Sequence, residues 1–101
     1  MKSRILGKSQ IRVSEIGLGC WQLGGDFGPV GDGLAQSILG QAADQGIDFW
    51  DTADVYGGGL SEERIAAFLD QRPAPVTVAT KVGRDSGLFP DGYTRAKVRD
   101  N

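Results

Sequence analysis

Residues 48–63 read DFWDTADVYGGGLSEE. Phe49 and Trp50 suit a buried strand, yet the run ends in Asp51, Asp54, Tyr56 and a row of glycines. Ser61, Glu62 and Glu63 come next. Serine is a good helix N-cap, and acidic residues in a first turn face the positive end of the helix dipole. Ile65, Phe68 and Leu69 then recur at helical spacing until Pro73 and Pro75 end the helix. The stretch therefore predicts a strand over 47–53, a glycine turn and a helix starting at Ser61.

The same alternation extends to both sides. Residues 15–23 (EIGLGCWQL) form a candidate strand, followed by a glycine-rich loop over 24–33. Residues 34–45 show helical spacing, with Leu34, Ile38, Leu39 and Ala42 on one face, Asp32 as cap and Gly46 as stop. Residues 76–82 (VTVATKV) predict another strand, 84–93 a long loop, and Thr94 the cap of a third helix. At the start, residues 4–6 and 11–13 flank Gly7–Gln10 as a hairpin. The order is hairpin, β, α, β, α, β, loop, partial α, which argues for a parallel α/β sheet in one domain over 1–101. An open doubly wound sheet and a (β/α)8 barrel both satisfy it. A barrel needs about 250 residues, so the 101-residue chain is expected to be the N-terminal part of one.

Bulk composition narrows the chemistry. With a net charge of -2, the chain has no electrostatic reason to bind nucleic acid or an acidic membrane. No apolar run is long enough for a bilayer span. A single cysteine excludes an internal disulfide and fits a reducing compartment, so a cytoplasmic location is expected. There is no histidine, which removes the commonest metal ligand and the commonest acid-base group. No metal site is expected, and proton transfer must use another residue.

The glycine motifs carry little by themselves. GLGCWQ at 17–22 misses the dinucleotide fingerprint, because Gln22 stands at the third glycine and a loop rather than a helix follows. Gly17 and Gly19 read instead as small residues in a strand where backbone or ligand comes close. Gly57–Gly59 precede a helix but lack the Lys-Ser/Thr of a phosphate loop, and Glu62 and Glu63 would repel an anion there.

Chemistry gathers at strand ends. Asp51 ends one strand and Lys81 the next, about one βαβ crossover away. Neighbouring parallel strands lie about 4.8 Å apart, so inward side chains at these positions meet. Thr77, Ala79 and Lys81 share one face of their strand, and Val76, Val78, Thr80 and Val82 the other. Tyr56 follows just past the Asp51 strand. A free tyrosine titrates near ~10, and an ammonium beside a phenol favours the phenolate. An Asp-Lys-Tyr set is thus a candidate general acid for a carbonyl oxygen, although an ordinary ion pair beside an exposed tyrosine satisfies the same spacing. Trp50 is expected to face outward beneath a helix, Asp54 to serve its turn, and Arg95, Lys97 and Arg99 to form a solvated helix face.

GIDFWDTADVYGGGLSEE, GLGCWQLGG at 17–25, ATKVG at 79–83 and RILGKSQIRVSEIGLG at 4–19 together resemble the aldo-keto reductases, in order and along essentially the whole chain. The resemblance implies a (β/α)8 barrel and an NAD(P)H-dependent reductase of aldehydes and ketones. It favours NADP(H) over NAD(H) and a small-molecule carbonyl substrate. By position, Tyr56 matches the proton donor, Lys81 the lysine that assists it, and Asp51 the carboxylate pairing with that lysine near the nicotinamide ribose. Gly19, Cys20 and Trp21 match the stretch lining the nicotinamide pocket, with Trp21 and Tyr56 also facing substrate. Cys20 departs from the usual threonine. The family's catalytic histidine and the groups gripping the cofactor phosphates belong to segments after residue 101. The chain alone is therefore expected to be inactive, with open sheet edges that invite self-association. The alternative function is a non-catalytic cofactor-binding or regulatory protein that keeps the reductase fold.

Overall fold

The structure, a computed structural model, describes residues 1–84 and 86–101. Asp85, inside the predicted loop 84–93, lies outside the described residues. The N-terminal hairpin pairs β1 (Ser3–Ile5) with β2 (Arg12–Ser14) in antiparallel register, Arg4 opposite Val13. β3 (Leu18–Gly19), α1 (Asp32–Asp44), β4 (Phe49–Asp51), α2 (Leu60–Gln71), β5 (Thr77–Ala79) and α3 (Arg95–Asp100) follow.

β3, β4 and β5 form one parallel sheet in chain order. The register sets Leu18, Trp50 and Val78 side by side, then Gly19, Asp51 and Ala79. Sequential neighbours in this order are what right-handed crossovers through α1 and α2 produce. The hairpin is tied to this sheet through the start of β4. The Ser14 amide donates to Asp48 Oδ1 at 2.7 Å, and the Asp48 amide donates back to Ser14 Oγ at 3.0 Å.

The core lies between the sheet and the two longer helices. Trp50 is fully buried on the helix side, its ring 5.7 Å from Phe68, with its indole N–H satisfied by the Ile47 carbonyl. Cys20, Leu23, Ala35, Leu39, Ala42 and Ile65 complete the cluster. Leu34 does not join it and is 57% exposed. The buried stripe of α1 is Ala35, Leu39 and Ala42, one position round the helix from the face predicted. Both stripes fit a 3.6-residue period.

Two predicted caps shift. α1 starts at Asp32 with Gly31 in the cap position, because the Asp32 carboxylate is held by Arg64. α2 starts at Leu60 with Gly59 in the cap position, and Ser61 is drawn into the core. Gly46 ends α1 with φ +76°, and Thr94 accepts the Lys97 amide at the start of α3, both as predicted. The strand predicted over 15–23 contracts to Leu18–Gly19. Past Cys20 the chain turns into a short 3-10 helix, Trp21–Gly24, which brings Gly24 against the backbone of Gly57.

Candidate active site

The end of β4 and the end of β5 remain stitched beyond their last paired residues. The Thr52 amide donates to the Ala79 carbonyl at 2.8 Å, the Asp54 amide to the Lys81 carbonyl at 3.2 Å, and the Gly83 amide to Asp54 Oδ2 at 3.0 Å. Asp54 is therefore more than a turn residue, since it holds the loop after β5 to the loop after β4. These bonds bring Lys81 alongside Asp51.

Lys81 Nζ donates to Asp51 Oδ2 at 3.0 Å and Oδ1 at 3.2 Å, to the Thr52 carbonyl at 2.8 Å and to Tyr56 Oη at 3.1 Å. An ammonium carries only three protons, so the two Asp51 oxygens share one. The pair is about half exposed, with 53% of the Lys81 side chain and 51% of the Asp51 side chain open to solvent. Partial desolvation pulls the Lys81 pKa down. Hydrogen bonds to Tyr56 and Asp51, with attraction to Asp51 and Tyr56, outweigh that pull and leave it raised above 10.5. The ammonium is thus held charged against the phenolic oxygen. Any stability it contributes is complete below 10.5 and lost as pH rises through the raised value.

Tyr56 is placed by a tight turn, the 3-10 segment Tyr56–Gly59, in which Gly57 and Gly58 take φ of +64° and +65°. The Trp21 ring stacks on Tyr56 with centroids 5.6 Å apart and planes 18° from parallel, and Phe27 meets Trp21 edge-on at 4.6 Å. Trp21, Tyr56, Lys81, Phe89 and Tyr93 line a groove of about 640 Å³. Its lining mixes the Lys81 ammonium, the Tyr56 phenol, Asp54 and Arg84 with aromatic and valine side chains.

Cys20 is elsewhere. Its side chain has no exposure and packs in the core, with Sγ 3.6 Å from the Leu18 carbonyl. Its amide donates to the Asp51 carbonyl, and its own carbonyl accepts the Ser61 hydroxyl. The expectation that Cys20 faces the pocket is corrected for the side chain, because Cys20 alternates to the helix side of the sheet. Burial, then the Asp51 charge, pushes its thiol up from 9.0 to about 12. Native Cys20 is expected to label with a thiol-specific disulfide reagent far more slowly than in denaturant, since the thiolate is the nucleophile. Equal rates would contradict its burial. Gly19 sits beside Asp51 with open space where a Cβ would stand, so a bound group could approach its backbone.

Two further groups escaped sequence reasoning. The Ser61 hydroxyl has a single proton, given to the Cys20 carbonyl at 2.8 Å, so Thr52 is the donor in the 2.8 Å contact between their hydroxyls. Both are buried, and they lock the start of α2 under the ends of β3 and β4. Arg64, 8% exposed, donates to the Leu23 and Val30 carbonyls at 2.6 Å each and to Asp32. It holds the glycine-rich loop from beneath. An arginine within an exposed-looking helix turn gave no signal in the sequence that it reaches back across the fold.

Residues 15–101 match the family model described as "Aldo/keto reductase family". The chain belongs to the aldo/keto reductase family. It is 40% identical over 83 residues to an uncharacterized oxidoreductase, YqkF, of Bacillus subtilis, covering 82% of this chain and 26% of the relative. It is 41% identical over 73 residues to yakc of Schizosaccharomyces pombe, named as an NADP(+) aldo-keto reductase, covering 70% of this chain and 22% of that one. Among solved structures, an aldo-keto reductase from Bacillus halodurans in its holo form superposes with a TM-score of 0.71 at 41% identity, covering 82% of this chain and 26% of that chain. The chain spans about a quarter of the length of the relatives it matches. Its fold is thus a section of a (β/α)8 barrel, and the family is one of oxidoreductases that use nicotinamide cofactors.

Proposed function

We propose that the protein carrying this chain reduces aldehydes or ketones to alcohols, with Tyr56 as general acid and Lys81 and Asp51 supporting it. The observation that carries this is the single ammonium, Lys81, bonded at once to Tyr56 Oη, to Asp51 and to the Thr52 carbonyl. An ordinary ion pair needs no phenol in its coordination and no groove beside it.

The residues present fit the reactive end of a nicotinamide cofactor. Asp51 keeps half of its side chain open, leaving acceptor capacity for a ribose hydroxyl, and Trp21 offers a flat wall. A reduced nicotinamide held there would supply the hydride that reduction of the carbonyl carbon requires. Tyr56 then gives its phenolic proton to the carbonyl oxygen as charge develops there, and Lys81 donates to the phenolate oxygen left behind. Asp51 and the Thr52 carbonyl fix the ammonium at that point, so little reorganisation is needed when the proton leaves. The yakc name supports NADP(H) over NAD(H) as the cofactor.

A barrel-length protein containing this chain should oxidise NADPH in the presence of a panel of aldehydes. Cofactor binding without turnover on any of them would overturn the catalytic reading in favour of a non-catalytic binding protein. The 101-residue chain by itself should show no turnover and should self-associate in sedimentation, because β3 and β5 each pair on one side only among the described residues.

A further inference from the structure

Asp26 sits in the glycine-rich loop between β3 and α1 and was not among the residues that the sequence pattern singled out. One of its oxygens, Oδ2, accepts two bonds: from the Trp21 indole N–H at 3.1 Å and from the Gly57 backbone amide at 2.9 Å. The first fixes the ring that stacks on Tyr56. The second fixes the residue immediately after Tyr56. The loops after β3 and β4 already touch at Gly24 and Gly57, where a Cβ on Gly24 would lie within 2.5 Å of the Gly57 nitrogen. That contact sets how close the loops come. It does not set the rotation of the indole, which needs a directional bond.

We propose that Asp26 is a positioning residue that clamps Trp21 in parallel register with Tyr56 and so orients the substrate carbonyl against the phenolic proton. Trp21 is 48% exposed and its indole has no other hydrogen-bond partner among the described residues, so without Asp26 no directional bond fixes the ring against Tyr56 and Phe27. A carboxylate suits the role because an ionised acceptor makes stronger bonds than a neutral one, and one oxygen can accept from two donors. The Lys81–Tyr56 bond does not pass through Asp26. Through Gly57 the clamp also braces the turn that carries Tyr56, but it leaves the Lys81 bond to the acid intact, so its loss acts mainly on where the carbonyl sits and should raise KM more than it lowers kcat.

This inference rests on Tyr56 being the acid, and its test keeps the two separable. In the barrel-length protein, Asp26→Ala should lower kcat/KM about tenfold, chiefly through KM, the scale of a lost charge-assisted bond. Asp26→Asn keeps an oxygen at the same place and should recover most of the loss. Repeated on a Trp21→Phe background, Asp26→Ala should cost clearly less, because the indole donor is already gone. Independently of turnover, acrylamide quenching of Trp21, obtained as the difference from the Trp21→Phe protein, should rise in Asp26→Ala. Unchanged quenching with unchanged kcat/KM overturns the clamp. So does a fall in kcat at constant KM, which marks loss of folded enzyme, or full additivity with Trp21→Phe. If Tyr56 is not the acid, the quenching change persists while the KM effect disappears.

Discussion

Tyr56→Phe is expected to lower kcat for carbonyl reduction by about 10²–10⁴-fold, the span that a positioned general acid commonly supplies. The substitution is narrow. Phenylalanine keeps the ring that stacks on Trp21 at 5.6 Å and removes only the oxygen bonded to Lys81 Nζ at 3.1 Å. Near-ultraviolet circular dichroism and KM should therefore change little while kcat collapses. Lys81→Met should produce a similar kinetic loss by a different route. It leaves the phenol in place but removes the donor that would stabilise the phenolate. Because the Asp51–Lys81 pair is half exposed, stability should change by no more than about 1 kcal/mol. The raised Lys81 pKa fixes the sign of the pH dependence: the ammonium is already charged throughout the neutral range, so an alkaline fall in activity that sets in below 10.5 does not come from Lys81. Wild-type turnover in Tyr56→Phe would remove the basis for the acid assignment, whatever Lys81→Met does.

The Asp51, Lys81 and Tyr56 set was legible in the sequence because strand register transmits it. In a parallel sheet with neighbours in chain order, strand ends come together and period-two alternation tells which side chains share a face. Asp51 pairs with Ala79, and Lys81, two residues further along, reaches back to it, while Tyr56 arrives on the turn after β4. Trp50 under α2 was legible for the same reason. The family resemblance gave Cys20 only as part of a pocket-lining stretch, and the same alternation buries its side chain. It stands one residue past Gly19, which pairs beside Asp51, so its side chain turns to the helices and its amide reaches the Asp51 carbonyl. A family position matched to a pocket does not say whether the backbone or the side chain faces it. Ser61 escaped because its capping propensity is local, whereas the buried carbonyl of Cys20 and the Thr52 hydroxyl compete for it from across the fold. Arg64 and Asp26 escaped because both bond loop backbone, and no residue-type pattern marks the far carbonyl or amide that a loop will present. What periodicity carries is the sheet; what it leaves out is how the two glycine-rich loops dock.

That docking sets the second large effect. Gly57→Ala is expected to destabilise the protein more than Gly58→Ala, although both residues have nearly the same left-handed backbone, φ +64° and +65°. A left-handed residue with a Cβ costs roughly 1–2 kcal/mol on its own, and that cost applies equally to the two. At Gly58 a Cβ would meet open space, whereas at Gly57 it would run into the Gly24 backbone. Backbone cannot rotate away as a side-chain tip can, so the loops must part, at about a further 1–3 kcal/mol. Gly24→Ala tests the same contact from the other side. Its backbone is not left-handed, so only the steric part remains, against the Gly57 nitrogen at 2.5 Å and the Tyr56 carbonyl carbon at 2.6 Å. Thermal unfolding should rank the losses Gly57→Ala above Gly24→Ala and Gly58→Ala. Turnover should separate the last two: Gly24→Ala pushes the Tyr56 turn away from Trp21 and should lower kcat/KM, while Gly58→Ala leaves the contact between the loops alone. Equal stability losses at Gly57 and Gly58 would mean that the loops do not press together as the backbone distances require.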